Sequence, residues 1–129
     1  MLLRFVTPDR DERTGQRTGL MTVAYRLLRS GNLPHAEEER LRSHTQWLET
    51  NLPVPARFAR KRNVSHKQTH GISWLRSSAT DAVRYLHAIA DIARQHDHLI
   101  EIVQTERPGY IVHEDQWQVV AEPFHGEER

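Results

Sequence analysis

Arg57, Arg60, Lys61, Arg62 and Lys67 fall within one short stretch, with His66 and His70 beside them and no carboxylate among them. Clustered guanidinium and ammonium groups meet phosphates or an acidic protein surface. The bland alternative is a solvated loop balanced by carboxylates elsewhere in the chain. Two features count against a dedicated nucleic-acid binder. The isoelectric point of 8.3 lies below the ~9 typical of such domains. Phe58 is also the one aromatic residue in the stretch on which a base could stack.

Catalytic and metal chemistry find less support. Nine histidines are present, and two pairs have suggestive spacing. His66 and His70 are four apart and would share a helix face; His96 and His98 are two apart and would share a strand face. Neither pair belongs to an HExxH or other dense ligand motif. The chain has no cysteine, which excludes disulfides and thiolate ligands. It carries no G-x-S-x-G elbow and no glycine-rich phosphate loop. No catalytic residue, metal ligand set or cofactor is therefore expected. Were the chain a hydrolytic enzyme, His66 and His70 would be its participants.

Charge is unevenly placed. Residues 50–80 hold six Lys/Arg and no Asp/Glu, whereas residues 81–129 hold four against ten. A basic middle and an acidic end suit docking between complementary surfaces. No run approaches the ~18 apolar residues of a membrane span, and Met1 to Arg10 lacks the apolar core of a signal peptide. A soluble, cytoplasmic protein is the expectation.

The elements that must position these groups follow from period and punctuation. Leu2 to Thr7 alternates Leu3 and Phe5 against Leu2, Arg4 and Val6, as a strand does, and Pro8 should end it. Asp9 to Gly19 is polar and reads as a loop. Leu20, Val23, Ala24, Leu27 and Leu28 give a helix that Gly31 should stop. Pro34 opens a second helix, which Leu52-Pro53-Val54-Pro55 terminates.

Beyond the basic stretch, a strand from Gly71 leads into a long helix. Its apolar stripe runs through Ala79, Ala82, Val83, Leu86, Ile89, Ala90 and Ala93, and Ser78 with Asp81 resembles a capping box. Leu99 to Thr105 is dense in aliphatics, which predicts a strand buried on more than one side. Leu86 and Ile102 should share a core. Pro108-Gly109 makes a turn, Tyr110 to His113 a short strand, and Glu114-Asp115 a weaker turn, since neither residue is Gly or Asn. Trp117, Val119 and Ala121 then alternate with Gln118, Val120 and Glu122. Trp74 and Trp117 read as packing residues, and Tyr110 could serve packing or an interface.

The expected fold is α+β: one domain over residues 1–129, ordered β-α-α-loop-β-α-β-β-β. The sheet is mainly antiparallel or mixed, with helices on one face. Residues 53–70 form an exposed basic loop and 125–129 a frayed tail. The functional expectation is a small non-enzymatic interaction module that docks a protein partner through charged surfaces. The alternative is a nucleic-acid-binding accessory protein using residues 57–67 on phosphates. Homo-oligomerisation is compatible with either.

Overall fold

The computed structural model describes residues 1–10, 15–52 and 71–124. The elements run β1 (Leu2–Arg10), β2 (Arg17–Gly19), α1 (Leu20–Ser30), α2 (His35–Asn51), β3 (Ile72–Arg76), α3 (Thr80–Gln95), β4 (Glu101–Thr105), β5 (Tyr110–Glu114) and β6 (Gln118–Glu122). The fold is α+β, an antiparallel six-stranded sheet with the helices packed against it. The order matches the sequence expectation, with one strand added: the polar stretch before α1 contains β2.

Strand β1 is the hub. Leu2 and Leu3 pair both with β3 and with β4, so those strands lie on opposite edges of β1. Val6 pairs with Glu101 of β4 and Gly19 of β2, so β2 shares the β3 side. The lanes therefore read β4, β1, then β3 and β2 end to end, then β6 and β5. Along the shared lane, the β1–β3 pairing ends at Leu3 and the β1–β2 pairing begins at Val6. Pro8 does not end β1 as expected. Beyond Val6 the β4 ladder is finished, and the β2 register shifts between Val6 and Arg10. Proline is tolerated at such irregular, singly paired positions.

The two faces of the sheet are buried differently. Phe5 and Leu75 join the helix-side core with Leu20, Val23, Leu41, Leu48, Ile89 and Ala93. Each helix supplies its stripe at three- and four-residue steps. Gly31 ends α1 in the left-handed region at φ 72°, as its position predicted. The expected capping box does not form. Ala79 is the N-cap with no side-chain cap bond, and the Asp81 carboxylate pairs with Arg84 at 3.2 Å instead.

Leu2, Ile72, Trp74 and Val119 form a second cluster on the opposite face, with Val103 against it. Chain length explains how that face is buried. In a flat sheet Thr105 and Tyr110 would lie about 25 Å apart, from four lane spacings across and the register offset along. The five steps of chain between them reach about 18 Å at most. The sheet must curl, and it curls around Trp74, which is fully buried. The turn that closes this distance requires Gly109, at φ 132° and packed against the backbone of Glu122 and Pro123.

Strand β4 corrects an expectation. It lies at a sheet edge with one neighbour among the described residues, and Ile102 is 37% exposed. Ile102 and Leu86 are therefore not the shared core centre; Ile89 and Ile100 are buried in their place. Local aliphatic density cannot report how many neighbours a strand acquires.

Candidate functional site

The expected anion-binding residues Arg57, Arg60, Lys61, Arg62 and Lys67 lie outside the described residues, as do His66, His70 and the 125–129 tail. Among the described residues no three metal-ligating side chains converge. Two of the described histidines sit beside carboxylates: His96 Nε2 lies 2.7 Å from Glu37, and His113 Nε2 2.8 Å from Asp115. No helix among the described residues is long and apolar enough to cross a membrane.

Two surfaces could do chemistry. The first is the β5 edge. Strand β5 pairs with β6 alone among the described strands, and its ladder shifts register between Ile111 and His113. Tyr110 and Ile111 are 61% and 53% exposed, although both are strand formers with large apolar surfaces. Tyr110 meets Phe124 edge-on at 4.8 Å. Ile111 borders a groove of about 350 Å³ floored by Leu2, Pro108 and Val119 and rimmed by Glu106, Glu114 and Arg76. Arg76 reaches Glu114 at 3.2 Å, and its Nε donates to the Asp115 carbonyl at 2.7 Å.

The β5–β6 turn is held by a side chain. Asp115 Oδ1 accepts the N–H groups of Trp117 at 2.7 Å and Gln118 at 2.9 Å, and Oδ2 meets His113. Burial opposes ionisation of Asp115. The Trp117 N–H, His113 and the Gln118 N–H outweigh it, so the carboxyl sits below its usual range. An aspartate that bonds backbone two and three residues on does the work of the missing Asn-Gly.

The second surface is a cleft of about 530 Å³ at the lane change on β1, where pairing with β3 has ended and pairing with β2 has not begun. Leu3, Phe5, Leu20 and Leu75 give it apolar walls, and Ser73 and Gln118 give it polar groups; Arg4 borders it from β1, on the sheet face where its register partner Val103 packs. Ser73 Oγ and Gln118 Oε1 are 2.8 Å apart. Glu49 stands at the border and accepts the Tyr25 hydroxyl; burial first and then Glu49 push that phenol up to about 12.

Arg4 is the unusual member. Its Nη2 donates to the Arg17 carbonyl at 2.9 Å, but its Nη1 is shielded from solvent and has no acceptor. Burial, then the nearby Arg17 charge, lowers its pKa to about 10, so it stays a cation at neutral pH. Arg17 itself is neutralised by Glu101. Among the described residues no carboxylate pairs with Arg4. The sequence held a signal for this residue, since Arg4 interrupts the Leu2–Val6 face of an otherwise apolar strand.

Comparison with protein-family models, curated proteins and solved structures gives no match for this chain.

Proposed function

We propose that the protein is a non-enzymatic interaction module that docks a protein partner by adding a strand to β5. The observation that supports this reading is the exposed pair Tyr110 and Ile111 on a strand that pairs with β6 alone among the described strands. Edge strands are ordinarily guarded by charge, proline or a covering element, because their free backbone groups recruit other chains. Here Ile111 stands beside a groove and Tyr110 against Phe124 instead. Main-chain bonds would supply affinity, and pockets for alternate side chains would supply selectivity. Glu106 and Glu114 on the rim are met by the Met1 ammonium at 3.4 Å and by Arg76 at 3.2 Å, so the rim carries paired charges of both signs and favours a partner segment with apolar residues flanked by polar ones. This keeps the expectation of docking between charged surfaces but places its centre on the acidic end of the chain.

The test is purification from the native host with wild-type protein and with a Tyr110→Asp/Ile111→Lys double variant, read by mass spectrometry and nucleic-acid absorbance. The wild type should retain a protein that the variant loses by roughly tenfold or more, as expected of anchor residues. In the reconstituted pair, amides 110–114 should gain protection from hydrogen exchange. Equal recovery by both proteins would refute the reading. Binding to mixed-sequence oligonucleotides at physiological salt, without protection of β5, would favour the nucleic-acid alternative.

A further inference from the structure

We infer that the cleft at the β1 lane change binds a small neutral molecule made of a secondary amide with apolar substituents, and that main-chain groups of Phe5 and Ser73 hold the amide. The cleft reaches the backbone between β1 and β3. Arg4 and Ile72 both border it, yet their side chains belong to the opposite sheet face. There Ile72 packs with Leu2 and Trp74, and Arg4 lies beside Val103. What these two residues present to the cleft is therefore main chain.

Register identifies the groups. The Ser77 N–H donates to the Met1 carbonyl at 3.0 Å, and Leu3 pairs with Leu75 two positions on. Hydrogen-bonded positions of an antiparallel pair recur at every second residue. The next would be Phe5 with Ser73, and the β1–β3 ladder ends before it. The Phe5 N–H and the Ser73 carbonyl thus face the cleft instead of bonding each other, and both residues line it. Phe5 is buried, and main-chain groups out of water are ordinarily paired. One donor and one acceptor are the complement of a secondary amide. Its oxygen accepts from Phe5, and its N–H donates to Ser73.

The rest of the cleft suits the substituents. Leu3, Phe5, Leu20 and Leu75 cover hydrocarbon, and about 530 Å³ lies within the range of small-molecule sites. Ser73 is exposed while Ile72, Trp74 and Leu75 beside it are buried, so the cleft is open at the amide position. Glu49 at the border opposes an anionic group, in keeping with a neutral one.

N-hexylbutanamide, its ester isostere hexyl butanoate and N-hexyl-N-methylbutanamide serve as probes, titrated into the full chain and followed by calorimetry and amide NMR shifts. The ester and the N-methyl amide lack the N–H. Wild-type protein should bind the secondary amide at least about fivefold more tightly than either, the loss expected for one hydrogen bond. The Phe5 amide proton should move most, with further shifts at residues 72–75. Ser73→Leu fills the cleft and should lose binding of all three. Equal affinities for the secondary amide and the ester in the wild type would overturn the proposal, whether or not the variant folds. So would shifts confined to other surfaces, no binding of the secondary amide at millimolar concentration, or a folded Ser73→Leu protein that binds it as the wild type does.

Discussion

Gly109 lies against the carbonyl of Glu122 so closely that a Cβ would collide with that oxygen and stand 2.8 Å from the carbonyl carbon. Backbone cannot swing aside as a side-chain end can. Gly109 also holds φ 132°, where residues with a Cβ are strained. The turn that lets the chain cross from β4 to β5 thus depends on one missing methyl group. Gly109→Ala should destabilise the protein by at least about 2 kcal/mol. Gly31→Ala is the control: its φ is also positive, at 72°, but nothing lies within 4 Å of the new Cβ. It should cost about 1 kcal/mol. Urea midpoints of the two variants check this, and equal losses would mean that the contact with Glu122 is unimportant.

Asp115 should be the next most sensitive turn position. Asp115→Ala leaves the N–H groups of Trp117 and Gln118 without their acceptor, at a cost of about 1–3 kcal/mol. Asp115→Asn keeps an oxygen for both but loses the charge facing His113. The folded-state pKa of Asp115 is depressed, so its contribution is fully present above the unfolded value of about 3.9 and is lost as pH falls through the folded value. The gap between wild type and Asp115→Asn, from urea melts at several pH values, should shrink in acid.

What the sequence revealed was periodic or local. The α1 stripe and its Gly31 stop, the α3 stripe and the alternation of β1 follow from patterns within one element, whereas β6 is buried on both faces and Trp117, expected beside Val119, packs with the helix-side core. Three residues of β2 are too few to show a pattern, and they lie in a polar stretch. The edge position of β4 depends on strands far away in the chain. So does the curl around Trp74, which appears only when strand register and turn length are combined. The cleft beside β1 is similar: it lies where pairing passes from β3 to β2 along one lane. The alternation of Leu2, Arg4 and Val6 was legible, but the missing neighbour was not.

The edge position of β4 gives a direct contrast. Ile89 is fully buried among the helices, whereas Ile102 is 37% exposed. Ile89→Ala should cost about 2–5 kcal/mol, through lost burial and a residual cavity. Ile102→Ala should cost under about 1 kcal/mol, as partly exposed positions do. Similar losses for the two would place β4 inside the core and contradict its edge position.

His44 should make the α2–α3 contact sensitive to pH. Its ring meets Tyr85 at 5.4 Å, Tyr85 stacks on Trp47 at 4.3 Å, and the His44 Nδ1 is buried without a partner. Burial, and then the Arg40 charge, lowers its pKa from 6.5, so the folded protein favours the neutral ring. Below about pH 6.5 the unfolded chain takes up this proton more readily than the folded one. The His44 contribution to stability is therefore complete above that pH. It declines as pH falls toward the folded value and changes no further below it. His44→Leu fills much of the same space and cannot titrate. Other histidines also titrate in this window, so the informative quantity is the difference between the two proteins. Relative to wild type, His44→Leu should gain stability between pH 7.5 and pH 5, measured by urea unfolding at each pH. A constant difference would show that His44 takes up its proton equally in the folded and unfolded chain, and that its surroundings do not hold it neutral.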